Sequence, residues 1–207
     1  MDYRGHGLSG GNRGDCPSKQ RWIADFTETV AYIKGLGFDK VIVMGHSLGV
    51  ASAIYTTMAI PNEISGLILL SGAKEGKKNV PGAAAPPSLF QKAKIVASSI
   101  FRPSFPAIEY YRKGMTGSDD SLFNFKYTLR FASMLNVKEL KLPDKLNIPV
   151  LVAVGDKDEL FDIDKVKELY DEVPGNKKEF LVMKDTYHAI IPDASWGEVV
   201  IWLNKNF

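Results

Sequence analysis

The run Lys40-Val41-Ile42-Val43-Met44 ends at Gly45 and passes at once into small apolar residues over 48–59, and this junction constrains the fold more than any other feature. A short β-branched run of this kind predicts a strand buried on both faces, as parallel sheets require. The small apolar stretch behind it predicts a tightly packed helix, closed by Pro61. Gly66-Leu67-Ile68-Leu69-Leu70 reads as a second buried strand, Pro149-Val150-Leu151-Val152-Ala153-Val154-Gly155 as a third, and Phe180-Leu181-Val182-Met183 as a last one. Helical spacing marks 21–35, through Trp22, Ile23, Phe26, Val30 and Ile33, with Gly35 and Gly37 as its end. Further helices are expected at 163–172 and 194–205. Strands alternating with helices predict an α/β fold, a mostly parallel sheet with right-handed crossovers.

With 207 residues, 45% of them hydrophobic, the chain can build one sizeable core. The strand pattern stops between the second and third strands. Residues 74–88 are rich in Lys, Gly, Ala and Pro. Residues 89–136 carry helical stretches and many aromatics: Phe90, Phe101, Phe105, Tyr110, Tyr111, Phe123, Phe125, Tyr127 and Phe131. The expected organisation is therefore a core formed by 1–73 and 141–207, with a helical insertion at 74–140. Lys74, Lys77 and Lys78 read as a solvated loop, and 1–19 as a long loop.

A net charge of +2 gives no ground for nucleic-acid binding. The single cysteine, Cys16, cannot form an internal disulfide and has no basic neighbour to activate it. No apolar run approaches the ~18 residues a membrane span needs, and the first residues lack the apolar core of a signal peptide. The expectation is a soluble cytoplasmic protein.

Gly45-His46-Ser47-Leu48-Gly49 fits G-x-S-x-G in the context that gives the pattern meaning, after a strand and before a helix. A sharp turn there lifts the serine hydroxyl above the sheet and crowds the residues two before and two after it, so both must be small. The helix start points backbone N–H groups at developing negative charge, which makes the Leu48 N–H a candidate oxyanion donor. His46 lies on the same turn, on its oxyanion and substrate side, as a packing or hydrogen-bonding residue.

A serine at its ordinary pKa needs a base. Of the three histidines, His6 is in the N-terminal loop and His46 would diverge from the serine across the turn. His188, after the last strand, is the candidate. An acid to orient it should follow the strand at 150–154, since catalytic groups of parallel sheets gather at strand C-termini. Asp156 and Asp158 both qualify by position, with Asp162 and Asp164 further on; spacing alone does not choose between the first two.

These motifs together resemble the α/β-hydrolase superfamily, nearest to its monoacylglycerol lipase, carboxylesterase and lysophospholipase-like members. Asp2-Tyr3-Arg4-Gly5-His6-Gly7-Leu8-Ser9 is similar to that family's D-x-R-G-H-G-x-S loop, Gly45 to Gly49 to its nucleophile elbow, Pro149 to Asp158 to its acid segment, and Tyr187-His188 to its histidine turn. The resemblance selects Asp158 as the acid, three residues after Gly155. It implies that 74–140 is the cap, whose aromatics suggest an apolar acyl or alcohol pocket. It also implies that on the order of 60–90 residues, at about 30 per strand-helix-strand unit, would precede this start. Those residues would include the loop with the second oxyanion N–H. A fragment of a longer product is the first expectation; a part supplied by another chain and a natural short form stay open.

The resulting expectation is a serine esterase or lipase that cleaves carboxylic esters of apolar acids. It would use Ser47, His188 and Asp158 and no metal or organic cofactor. Its partner would be a small apolar ester, not nucleic acid. The alternative is a non-catalytic or truncated relative with an incomplete oxyanion hole. Physiological substrate, chain length and self-association stay open.

Overall fold

A computed structural model of the chain describes residues 2–78, 80, 87–109, 121–134 and 140–207. The expected aromatics Tyr110 and Tyr111 lie outside them. Contacts divide the chain into two compact units, 1–25 with 79–136, and 26–78 with 137–207.

The larger unit is built on a four-stranded parallel sheet in the order β1-β2-β5-β6, formed by β1 (Ile42–His46), β2 (Gly66–Leu70), β5 (Val150–Gly155) and β6 (Lys178–Met183). Register pairs Met44 with Ile68, Ile68 with Leu151, and Ala153 with Leu181. Every residue of β2 and β5 is buried. That is why both strands read as unbroken apolar runs. β1 departs from the expectation of a strand buried on both faces. It lies at one end of the strand order, and Met44 is 50% exposed.

Successive side chains point to opposite faces. One set, Ile68, Leu70, Leu151, Ala153 and Met183, packs with Val199 and Trp202 of α6 (Asp193–Asn206). Phe207 closes that layer so tightly that a Cβ at Gly66 would come within 2.4 Å of its ring. The crossovers through α2 (Gly49–Ala59) and α5 (Ile163–Glu172) step across the sheet in the same direction. Right-handedness therefore puts both helices on the opposite face. α2 packs there on β1 and β2, and α5 on β5 and β6. A second cluster joins Val30 and Ile33 of α1 (Lys19–Gly35) to Val41, Val43 and Ile64. α1 ends at Gly35, and the chain leaves it through Gly37, whose φ of 93° suits glycine and whose N–H donates to Lys34 O at 2.9 Å.

The smaller unit holds the N-terminal loop together with α3 (Leu89–Phe101) and α4 (Leu129–Met134). It also holds a feature the sequence does not announce, an antiparallel pair of two-residue strands, β3 (Ile108–Glu109) and β4 (Lys126–Tyr127). The N-terminal loop is fastened by Asp15, which accepts from Thr128 Oγ1 at 2.8 Å and Arg130 Nε at 2.7 Å. Asn124 Nδ2 donates to Gly5 O at 2.7 Å. Asp25 similarly accepts from Arg4 (2.9 and 2.7 Å) and Arg21 (2.8 Å).

Candidate active site

Among the described residues, three non-glycine positions have left-handed backbone, Ser47, Ser71 and Asp185, and each stands just past the C-terminal end of a sheet strand. Such backbone costs about 1–3 kcal/mol and persists only where the surroundings enforce it. At Ser47 the enforcement is visible. Its N–H continues the β1–β2 ladder, donating to Leu70 O at 2.9 Å, while its carbonyl already accepts from Val50 N at 3.1 Å. The chain turns between those two bonds with φ of 55°. A Cβ at Gly45 would lie 2.1 Å from Gly49 O, so a side chain there would block the turn. Leu48 occupies the N-cap position of α2 and offers no side-chain cap. The first turn of the helix thus receives no acceptor from that position.

His188 reaches the same rim from the loop after β6. Its Nε2 is 2.9 Å from Ser47 Oγ, and its Nδ1 is 3.0 Å from Asp158 Oδ2. His188 and Asp158 are 7% and 3% exposed. The other oxygen of Asp158 accepts the N–H groups of Leu160 and Phe161 at 2.8 and 2.9 Å. Burial opposes the Asp158 charge, but the bond from His188 and these two N–H donors outweigh it. The carboxyl is held below the ordinary carboxylate range. With Nδ1–H bonded to the carboxylate, Nε2 is left to accept the Ser47 proton.

The loops bearing the acid and the histidine are laced together. Lys157 N donates to Thr186 O at 3.1 Å, and Asp156 Oδ1 accepts from Thr186 N at 3.2 Å. A Cβ at Gly155 would be 2.0 Å from Thr186 O. Asp156 therefore ties the loops and makes no bond to the imidazole, whereas Asp158 does. Asp162 stands at the N-cap of α5 and Asp164 in its first turn.

His46 packs its ring, tilted by 37°, on that of His188, centroids 4.8 Å apart. Its Nε2 is 2.8 Å from His188 O. Burial, reinforced by the neighbouring His188, holds the His46 pKa below its ordinary value, so the ring is the neutral donor. His6 is placed in the N-terminal loop, packed on Tyr127 and Phe131. Cys16 is buried, and burial raises its thiol pKa, as in an inert cysteine.

Two residues here were not singled out from sequence. Glu159 Oε2 accepts the backbone N–H of His188 at 2.9 Å. Lys77, expected in a solvated loop, donates from Nζ to Asp158 O at 2.7 Å and from its backbone N to Leu160 O at 2.8 Å. Adjacency to the acid was the available signal for Glu159. For Lys77 there was none, since its partners lie some eighty residues away.

A parallel sheet that carries a serine on a strained strand-to-helix turn, with a histidine and a buried carboxylate converging on it, is the frame of an α/β-hydrolase. The chain belongs to the family described as serine aminopeptidase, S33, whose model matches residues 1–195. It is 25% identical over 204 residues to a monoacylglycerol lipase of Mycolicibacterium smegmatis, covering 92% of this chain and 70% of that protein. It is 24% identical over 206 residues to a monoglyceride lipase of Rattus norvegicus, covering 91% and 65%. The crystal structure of Paleococcus ferrophilus monoacylglycerol lipase superposes with a TM-score of 0.70 at 22% identity, covering all of this chain and 82% of that one. Among the described residues no helix is long and apolar enough to cross a membrane.

Proposed function

We propose that this chain is a carboxylic-ester hydrolase that works through an acyl-enzyme on Ser47 and takes esters of apolar acids. The observation that carries the reading is the continuous hydrogen-bonded line from Asp158 through His188 to Ser47 Oγ. In the proposed cycle His188 Nε2 removes the Ser47 proton as Oγ attacks the ester carbonyl. The imidazolium then gives that proton to the departing alkoxide, leaving an acyl group on Oγ. Water, deprotonated by the same nitrogen, releases the acid and restores Ser47. Asp158 fixes the tautomer and stabilises the imidazolium. The Leu48 N–H at the start of α2 faces the developing oxyanion.

Ester over amide chemistry is favoured by the relatives, a monoacylglycerol lipase and a monoglyceride lipase. We assign residues 74–140 as the cap insertion because the segment joins β2 to β5, two strands that are direct neighbours in the sheet. Its aromatics support an apolar acyl group. Hydrolysis of p-nitrophenyl esters of graded chain length tests the reading. Turnover that prefers medium over acetyl chains and disappears in Ser47→Ala supports it. Equal turnover in Ser47→Ala refutes the mechanism, and a folded protein inert to every ester points to a binding protein.

A further inference from the structure

We propose that Glu159 is a positioning residue for His188, acting through the histidine's main chain. The inference rests on the reading of Ser47, His188 and Asp158 given above.

His188 sits in a loop, between β6 and α6, where no ladder or helix holds its peptide groups. Both groups are instead held by side chains. Glu159 Oε2 accepts its N–H at 2.9 Å, and His46 Nε2 meets its carbonyl at 2.8 Å. These two holders are the sequence neighbours of the other two members of the line. His46 precedes Ser47, and Glu159 follows Asp158. The acid loop therefore presents two successive carboxylates to one histidine, Asp158 to its ring at 3.0 Å and Glu159 to its backbone.

The geometry gives the second carboxylate a task the first cannot perform. A bond at Nδ1 fixes how the ring is rotated, but not where its Cα stands. A charged acceptor on a partly buried N–H is among the stronger hydrogen bonds a loop can make. It fixes Cα relative to the same loop that carries Asp158. The line from Asp158 to Ser47 depends on two contacts of about 3 Å in series, so a small drift of the His188 backbone would lengthen one of them. The lacing of Lys157 and Asp156 to Thr186 holds the loop two residues upstream but leaves the His188 N–H to Glu159. The amide of glutamine offers the same carbonyl acceptor without the charge, whereas alanine offers none.

The test compares wild type with Glu159→Ala and Glu159→Gln by steady-state hydrolysis of p-nitrophenyl butyrate, thermal melting, and the low-field proton resonance of the His188 Nδ1–H. Glu159→Ala is expected to lower kcat roughly tenfold with KM changed less than about twofold, because a misplaced base affects the chemical step and not ground-state binding. Its low-field resonance should shift or broaden, and Glu159→Gln should restore most of both. The proposal is overturned if Glu159→Ala keeps wild-type kcat and resonance. It is equally overturned if Glu159→Gln falls as far as alanine, or if Glu159→Ala loses its cooperative melt. A wild type that hydrolyses no ester would sink the hydrolase reading, while the resonance would still report whether Glu159 places His188.

Discussion

His46 Nε2 lies 2.8 Å from the carbonyl oxygen of His188, so the residue beside the candidate nucleophile grips the backbone of the candidate base. Replacing His46 with alanine removes a neutral hydrogen bond and a tilted ring contact with centroids 4.8 Å apart. A bond of that kind contributes about 0.5–1.5 kcal/mol, so ester turnover should fall roughly three- to tenfold. Steady-state kinetics on the folded variant checks this, and an unchanged kcat would show that the contact is idle.

The two aspartates after β5 should separate sharply. Only Asp158 touches the imidazole, while Asp156 ties the acid loop to Thr186. Asp158→Asn should lower kcat by about 10³–10⁴, the scale expected when the wrong tautomer is held. Asp156→Asn should cost less than about tenfold. The reverse order would place the acid at 156.

The left-handed backbone of Ser47, φ 55°, predicts a trade between stability and activity. Ser47→Gly relieves the steric conflict and should stabilise the fold by about 1 kcal/mol while abolishing turnover. Chemical denaturation gives the first quantity. A glycine variant less stable than wild type would mean the turn is not strained.

Gly45 has no such conformational need, but the space beside it is filled. A methyl group there would meet Gly49 O at 2.1 Å and Val50 N at 2.7 Å. Gly45→Ala should therefore push α2 away from β1 and destabilise by about 3 kcal/mol. Thermal melting should show the loss.

Stability should fall in two stages as the solution is acidified. Burial holds His46 and His6 below their ordinary 6.5, so the folded state keeps them neutral while the unfolded chain takes up protons. Their contribution is complete above 6.5 and is lost as pH falls from there through the depressed folded values. Hydrogen bonds, working against burial, hold Asp158, Asp15 and Asp25 below their ordinary 3.8. Their contribution is present above 3.8 and is lost as pH falls through their folded values. Denaturant midpoints taken from about pH 8 to about pH 3 should trace both stages, and His46→Gln should weaken the first.

Much of the sheet was legible because burial on two faces leaves a continuous mark. β2 was anticipated residue for residue, and the run read as the third strand, Pro149 to Gly155, differs from β5 only at Pro149. The elbow was legible because steric crowding at Gly45 and a helix start at Gly49 both restrict residue type. Three things were not. The exposure of Met44 was not legible in the run itself, since Val43 and Met44 carry the same letters in an edge strand as in a central one; only the resemblance, which implies earlier strands, pointed to an exposed apolar edge there. β3 and β4 are two residues each, too short for any periodicity. Lys77 and Glu159 are charged loop residues whose partners, Asp158 and His188, come close only through the fold. A surface charge and a charge that holds a loop have the same composition.

Covalent capture by a fluorophosphonate asks whether Ser47 is the activated nucleophile proposed above. Incubation of folded wild-type protein with the probe, followed by intact mass and peptide mapping, should find one adduct, on Ser47. The adduct should be absent from Ser47→Ala. Folded wild-type protein that stays unlabelled, or that carries the adduct on another residue, would contradict that role.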